Sequence, residues 1–66
     1  MTVVLNGDEA EFADGTTVLE LVEQVYGVLR GVAVAIGGVV VPRSTWAEQQ
    51  LASGDRIEVL TAVQGG

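Results

Sequence analysis

Sixty-six residues carry nine acids against three arginines, with no lysine, histidine or cysteine, for a formal net charge of −6. Such a chain makes one small domain, repels nucleic-acid phosphates and anionic membrane surfaces, and offers neither a disulfide framework nor a thiol, imidazole or amine for catalysis or metal binding. Its 48% hydrophobic content suffices for a compact core, no apolar run is long enough to span a bilayer, and no basic segment followed by an apolar one opens the chain, so the expected compartment is the cytoplasm.

Residues 2–6 are rich in β-branched side chains and read as a strand. Asn6-Gly7-Asp8 is a turn of the kind that closes hairpins, and residues 9–13 follow as a second strand with Ala10 and Phe12 on one face. Asp14-Gly15 turns the chain again. Thr17-Val18-Leu19-Glu20 has the form of a capping box: the threonine side chain accepts from the first helical turn and the glutamate accepts from the threonine amide. Val18, Leu21, Val22 and Val25 stand at i, i+3, i+4 and i+7, so they share one helical face, which Leu19 and Tyr26 widen. Gly27 sits where a helix-ending glycine belongs, which gives an amphipathic helix of about ten residues.

Residues 32–36 are almost wholly apolar and read as a third, central strand. Gly37-Gly38 can turn the chain into a short fourth strand at residues 39–41, which Pro42 ends by removing a backbone donor. Residues 43–50 read as a loop with one helical turn, anchored in the core by Trp46 and Leu51. Gly54-Asp55 leads into the last strand, residues 56–61. The order strand, strand, helix, strand, short strand, strand fits an α+β fold, the β-grasp or ubiquitin-like roll, with one helix packed across a mixed sheet of four to five strands. Residues 1–61 form the domain and residues 62–66 a tail of roughly 17 Å when extended.

The tail ends in Gly65-Gly66. Nine of the 66 residues are glycine, so a terminal pair arises by chance in about 2% of chains of this composition. A diglycine end leaves a main-chain carboxylate that can thread a narrow channel, because glycine tolerates backbone conformations a side chain forbids. Val63 and Gln64 would line the approach to that channel. A second candidate surface follows from alternation. If Val3, Leu5, Ile57 and Val59 face the helix with Val32, Val34 and Ile36, then Val4, Ala33, Ala35, Glu58 and Leu60 face outward. In a sheet where the first, last and third strands are neighbours, Val4, Ala33, Ala35 and Leu60 would make one apolar docking patch beside the tail. Trp46 reads as a core plug, Arg43 and Arg56 as surface partners of nearby acids, and Glu9, Glu11, Glu20 and Glu23 as a solvated face with no acid–base or metal geometry.

Several segments carry a resemblance to a known family. They are Leu5-Asn6-Gly7, Asp14-Gly15 with Thr17, Gly31-Val32-Ala33-Val34-Ala35, Val41-Pro42-Arg43-Ser44 with Trp46, Gly54-Asp55-Arg56-Ile57-Glu58, and Thr61-Ala62-Val63 running into Gly65-Gly66. On these the chain resembles the ThiS family, the sulfur carriers of thiamine biosynthesis, over its full length. The Val-Pro-Arg-Ser-x-Trp stretch discriminates most, since turn glycines recur throughout β-grasp proteins. Gly37 departs from the family's usual asparagine, and Val39 stands where a polar residue is common.

The resemblance implies a non-enzymatic carrier with no bound cofactor. A ThiF-like adenylating enzyme would use ATP to activate the Gly66 carboxylate. A persulfide sulfur donor, such as a cysteine desulfurase, would convert it to a thiocarboxylate. A ThiG-like thiazole synthase would then take the sulfur. Two relatives in fold and tail stay open as alternatives: the small subunit of molybdopterin synthase, and a ubiquitin-like modifier. The short length and the Pro-Arg-Ser-x-Trp stretch weigh against the first, and the absence of lysine excludes side-chain-linked chains of the second. An acidic adaptor that binds through its sheet alone is the reading from another class.

Overall fold

Asn6 and Gly7 have positive φ, 49° and 89°, the two-residue turn whose twist matches that of a hairpin. In the computed structural model, which describes residues 1–62, this turn joins β1 (Thr2–Leu5) to β2 (Asp8–Glu11). The strands run antiparallel with Leu5 opposite Asp8 and Thr2 opposite Glu11. The second strand therefore starts one residue before the expected 9–13, because Asp8 belongs to the ladder and not to the turn. Beyond it, Phe12 N–H donates to Met1 O at 3.0 Å and the Met1 amine donates to Phe12 O at 2.7 Å.

The helix α1 (Val18–Tyr26) has both ends encoded locally. Glu20 N–H donates to Thr17 Oγ1 at 3.2 Å, and Thr17 N–H donates to Glu20 Oε1 at 3.0 Å. Gly27 closes the helix in the left-handed conformation. Val18, Leu21 and Val22 are fully buried, as expected, but Val25 is 46% exposed. Val25 points in the same direction as the other three, yet in the last helical turn it is Tyr26 that is half-buried against the core, so the buried face turns about the axis there.

The remaining strands are β3 (Val32–Ile36), β4 (Val39–Val40) and β5 (Arg56–Thr61). They complete a five-stranded mixed sheet of order β2-β1-β5-β3-β4. β5 runs parallel to β1 and antiparallel to β3. One helix lies across this sheet, the β-grasp roll that the order of elements implies. The core is the inner face of the sheet, with Val3, Val32, Val34, Ile57 and Val59, closed by the helix, Trp46 and Leu51.

Residues 41–51 link sheet and helix. Trp46 is 2% exposed, and its indole N–H donates to Val41 O at 2.9 Å. Arg43, in the 3-10 turn Arg43–Thr45, lies over the indole with its guanidinium carbon 5.1 Å from the ring centroid. Among the described residues neither Arg43 nor Arg56 forms an ion pair with a carboxylate, contrary to expectation. The aromatic face holds Arg43 instead. The carbonyls of Gln49 and Trp46 accept from Val18 N–H at 2.8 Å and Leu19 N–H at 3.1 Å. A segment remote in sequence thus satisfies helix-terminal donors that have no intrahelical partner.

Asn6 extends the parallel pairing past the end of β1. Its main-chain N–H donates to Ile57 O at 2.8 Å. Its side chain then stands in for the next residue of a strand: Val59 N–H donates to Asn6 Oδ1 at 2.8 Å, and Asn6 Nδ2 donates to Val59 O at 3.3 Å and to Tyr26 Oη at 3.2 Å.

Candidate functional site

Three of the four residues read as a docking patch come together. Ala33 stands opposite Leu60, and Ala35 opposite Glu58, across the β3–β5 ladder. Ala35 also faces Val40 across β3–β4. These residues, with Val34, line an open depression of about 80 Å³. Leu60 and Val40 are 73% and 69% exposed, so the rim is apolar and largely uncovered, with Glu58 as its one charge.

Val4 is set apart from this patch. It is half-buried and lies between Glu9 on β2 and Arg56 on β5. Leu60 is four residues further along β5 than Arg56, about 13 Å at the usual strand rise. The alternation was read correctly, but the parallel register of β1 and β5 places charged side chains around Val4. Val40, in contrast, was not among the expected residues. A two-residue turn at Gly37-Gly38 puts Ile36 opposite Val39 and Ala35 opposite Val40, so turn length alone would have assigned Val40 to the outer face.

A larger depression, about 390 Å³, is lined by Ile36, Val39, Val40, Val41, Pro42, Thr45 and Gln49. It sits at the Ile36 end of β3, while the tail leaves from the Val32 end, where Val32 pairs with Thr61. The strand between them spans about 13 Å. The smaller depression is the one near the tail.

The root of the tail is itself fixed. Ala62 N–H donates to Gly31 O at 2.7 Å, which carries the Val32–Thr61 pairing one residue further. Gly31 has φ of 71°, and a Cβ built on it would lie 3.3 Å from the Ala62 Cβ. The last described residue is therefore held against the start of β3, and the four positions after it can span at most about 14 Å. Val63, Gln64, Gly65 and Gly66, the residues read as the channel-binding tail and its reactive end, lie outside the described residues.

The rest of the surface offers little chemistry. Among the described residues no cluster of acids could hold a metal ion. Glu11 accepts from Thr2 Oγ1 at 2.6 Å and Glu20 is engaged in the helix cap. Among the described residues no helix is long and apolar enough to cross a membrane.

Comparison with known proteins agrees with the geometry. A family model described as the ThiS family matches residues 3–66. The sulfur carrier protein ThiS of Escherichia coli (strain K12) is 36% identical over 66 residues, an alignment covering 100% of both chains. A thiazole synthase of Paramagnetospirillum magneticum is 33% identical over the same length, which is 100% of this chain and 20% of that one. The crystal structure of a thiamine biosynthesis protein (ThiS) from Geobacter metallireducens superposes with a TM-score of 0.84 at 26% identity, covering 100% of both chains. A solution structure of a thiamine biosynthesis protein from the same organism gives 0.81 at 27% identity, with 100% of this chain and 88% of that one covered.

Proposed function

The chain belongs to the ThiS family, and from that premise we propose that it carries sulfur for the thiazole ring of thiamine on its own last residue. The carboxylate of Gly66 attacks the α-phosphorus of ATP in an adenylating enzyme, and pyrophosphate leaves. This step is needed because a carboxylate is a poor acyl donor and AMP is a good leaving group. A persulfide then attacks the acyl carbon and expels AMP. Cleavage of the resulting acyl disulfide by a second thiol leaves the thiocarboxylate on Gly66 and a disulfide on the donors. A thiazole synthase takes the sulfur, and an oxygen from water or from the sulfur-accepting substrate returns to the acyl carbon, which regenerates the carboxylate for another cycle.

In this reading the chain supplies an acyl group and a docking surface, and the catalytic groups belong to its partners. The absence of His, Cys and Lys supports that division. So does the uncovered apolar patch of Ala33, Ala35, Val40 and Leu60 beside the tail root, which gives a partner something to hold while its channel receives Gly65 and Gly66. A thiazole synthase with a segment like this chain within its own polypeptide supports the synthase as a partner. Loading that consumes ATP fits a cytoplasmic protein.

The observation that carries the reading is the end-to-end alignment with the E. coli carrier, in a chain that closes on Gly65-Gly66. The test is intact mass spectrometry after incubation with ATP, an adenylating enzyme and a persulfide donor. The expected product has one oxygen exchanged for one sulfur. No mass change, beside a control carrier that is converted in the same mixture, would overturn it.

A further inference from the structure

Gly31 is distant in sequence from the reactive end, and the carrier chemistry does not call for it. It is nevertheless the residue on which the tail root rests. Its carbonyl accepts from Ala62 N–H at 2.7 Å. Its φ of 71° is a conformation that side chains rarely adopt, and the position its Cβ would occupy lies 3.3 Å from the Ala62 Cβ, 3.9 Å from its nitrogen and 3.9 Å from its oxygen. Two separate properties of glycine are used here: the left-handed backbone that begins β3, and the empty volume into which Ala62 fits.

The consequence concerns the tether. Counting on from Leu60, strand alternation returns Ala62 to the outer face, the face of Ala33 and Leu60. With Ala62 pinned, the reactive carboxylate is tied to the docking patch by four residues of fixed origin. A tether delivers its end efficiently when its length matches the span it must cross, and loses effective concentration when its origin moves. Near a reacting centre, a displacement of about 1 Å can cost up to about a hundredfold in rate.

We propose that Gly31 is a positioning residue for the carrier reaction: by leaving room for Ala62 against its backbone, it sets where the tail departs from the docking face. This rests on the carrier reading above. A side chain at position 31 would push Ala62 away, move the origin of the tail, and impair delivery of Gly66 with the docking patch and Gly66 themselves intact.

The test uses the full chain and four proteins: wild type, Gly31→Ala, Ala62→Gly and the double variant. The adenylating enzyme is assayed by pyrophosphate release, and amide exchange at residue 62 is followed by NMR. At 3.3 Å the Ala62 methyl must give by a few tenths of an ångström, so Gly31→Ala is expected to lower kcat/KM about threefold, less than a displacement of about 1 Å would cost, and to speed exchange of the Ala62 amide. Adding Ala62→Gly removes the methyl that the new one would meet and leaves the backbone strain at position 31 unchanged. The double variant is therefore expected to recover most of the lost kcat/KM without recovering the melting temperature. Wild-type kinetics for Gly31→Ala would overturn the proposal, as would a double variant no better than Gly31→Ala, since the defect would then come from backbone strain alone. If wild type itself is not adenylated, the carrier reading fails and the proposal with it. A defect confined to the Gly31→Ala arm cannot be confused with that result.

Discussion

Replacing Leu60 by alanine separates docking from folding. Leu60 keeps 73% of its surface exposed, so the folded chain gains little from it. Full burial of a leucine side chain is worth about 1.5–3 kcal/mol. Covering the exposed 73% in a complex would contribute about 1–2 kcal/mol, most of which alanine forfeits. At about 1.4 kcal/mol per factor of ten, kcat/KM for adenylation of the carrier should fall about 5- to 30-fold. Folding stability should change by no more than about 0.5 kcal/mol, less than about 4 °C in melting temperature for a domain of this size. The assay is pyrophosphate release against carrier concentration, with thermal melting by circular dichroism on the same samples. Val25→Ala is the comparison, because Val25 is also exposed, at 46%, but lies on the helix, across the sheet from the patch. Its kcat/KM should match wild type. Unchanged kinetics for Leu60→Ala, or an equal loss for Val25→Ala, would refute the assignment of the outer face. A large drop in melting temperature for Leu60→Ala would refute the burial argument.

Two further predictions address the turn and the tail. Asn6→Ala removes the acceptor for Val59 N–H, at about 1–3 kcal/mol, and puts an alanine at a φ of 49°, at about 1–2 kcal/mol. The total is a large share of the roughly 3–10 kcal/mol expected for a chain of this length. Asn6→Asp keeps that acceptor and loses only the donations at 3.2 and 3.3 Å, so urea denaturation should rank it well above Asn6→Ala; equal stabilities would show that the side-chain bond to β5 contributes nothing. Gly65→Val should block thiocarboxylate formation and leave the melting curve unchanged, because the buried core among the described residues ends at Val59. Conversion at the wild-type rate would remove the narrow-channel argument.

The helix shows what local sequence encodes and where it stops. Its start was legible because Thr17 and Glu20 bond each other's backbone within one turn, and its end because Gly27 adopts a conformation that most residues avoid. Its buried face was not. Val25 lies in the middle of the apolar stripe and is still exposed, while Tyr26 at the edge of the stripe packs against the core, because periodicity gives an average direction and not which residue the core meets at each turn. The outer face of the sheet divides in the same way. Alternation put Ala33 and Leu60 on the outer side, but the parallel offset of β1 against β5 decided that Val4 would sit beside Arg56. That offset depends on which strands become neighbours. Nor does any local pattern pair Gly31 with Ala62, or bring the carbonyls of Trp46 and Gln49 to the start of the helix.

From its residues alone this chain determined the order and kind of its elements, the turns between them, an acidic surface without lysine, histidine or cysteine, and the closing Gly65-Gly66 pair. Those properties depend on neighbours in sequence and on composition. Tertiary structure alone decided which outward residues meet, which residue of the last helical turn reaches the core, and that Ala62, just past β5, is held against the glycine before β3. Each of these requires the register between strands far apart in the chain, which is set by the packing of the whole sheet against its helix.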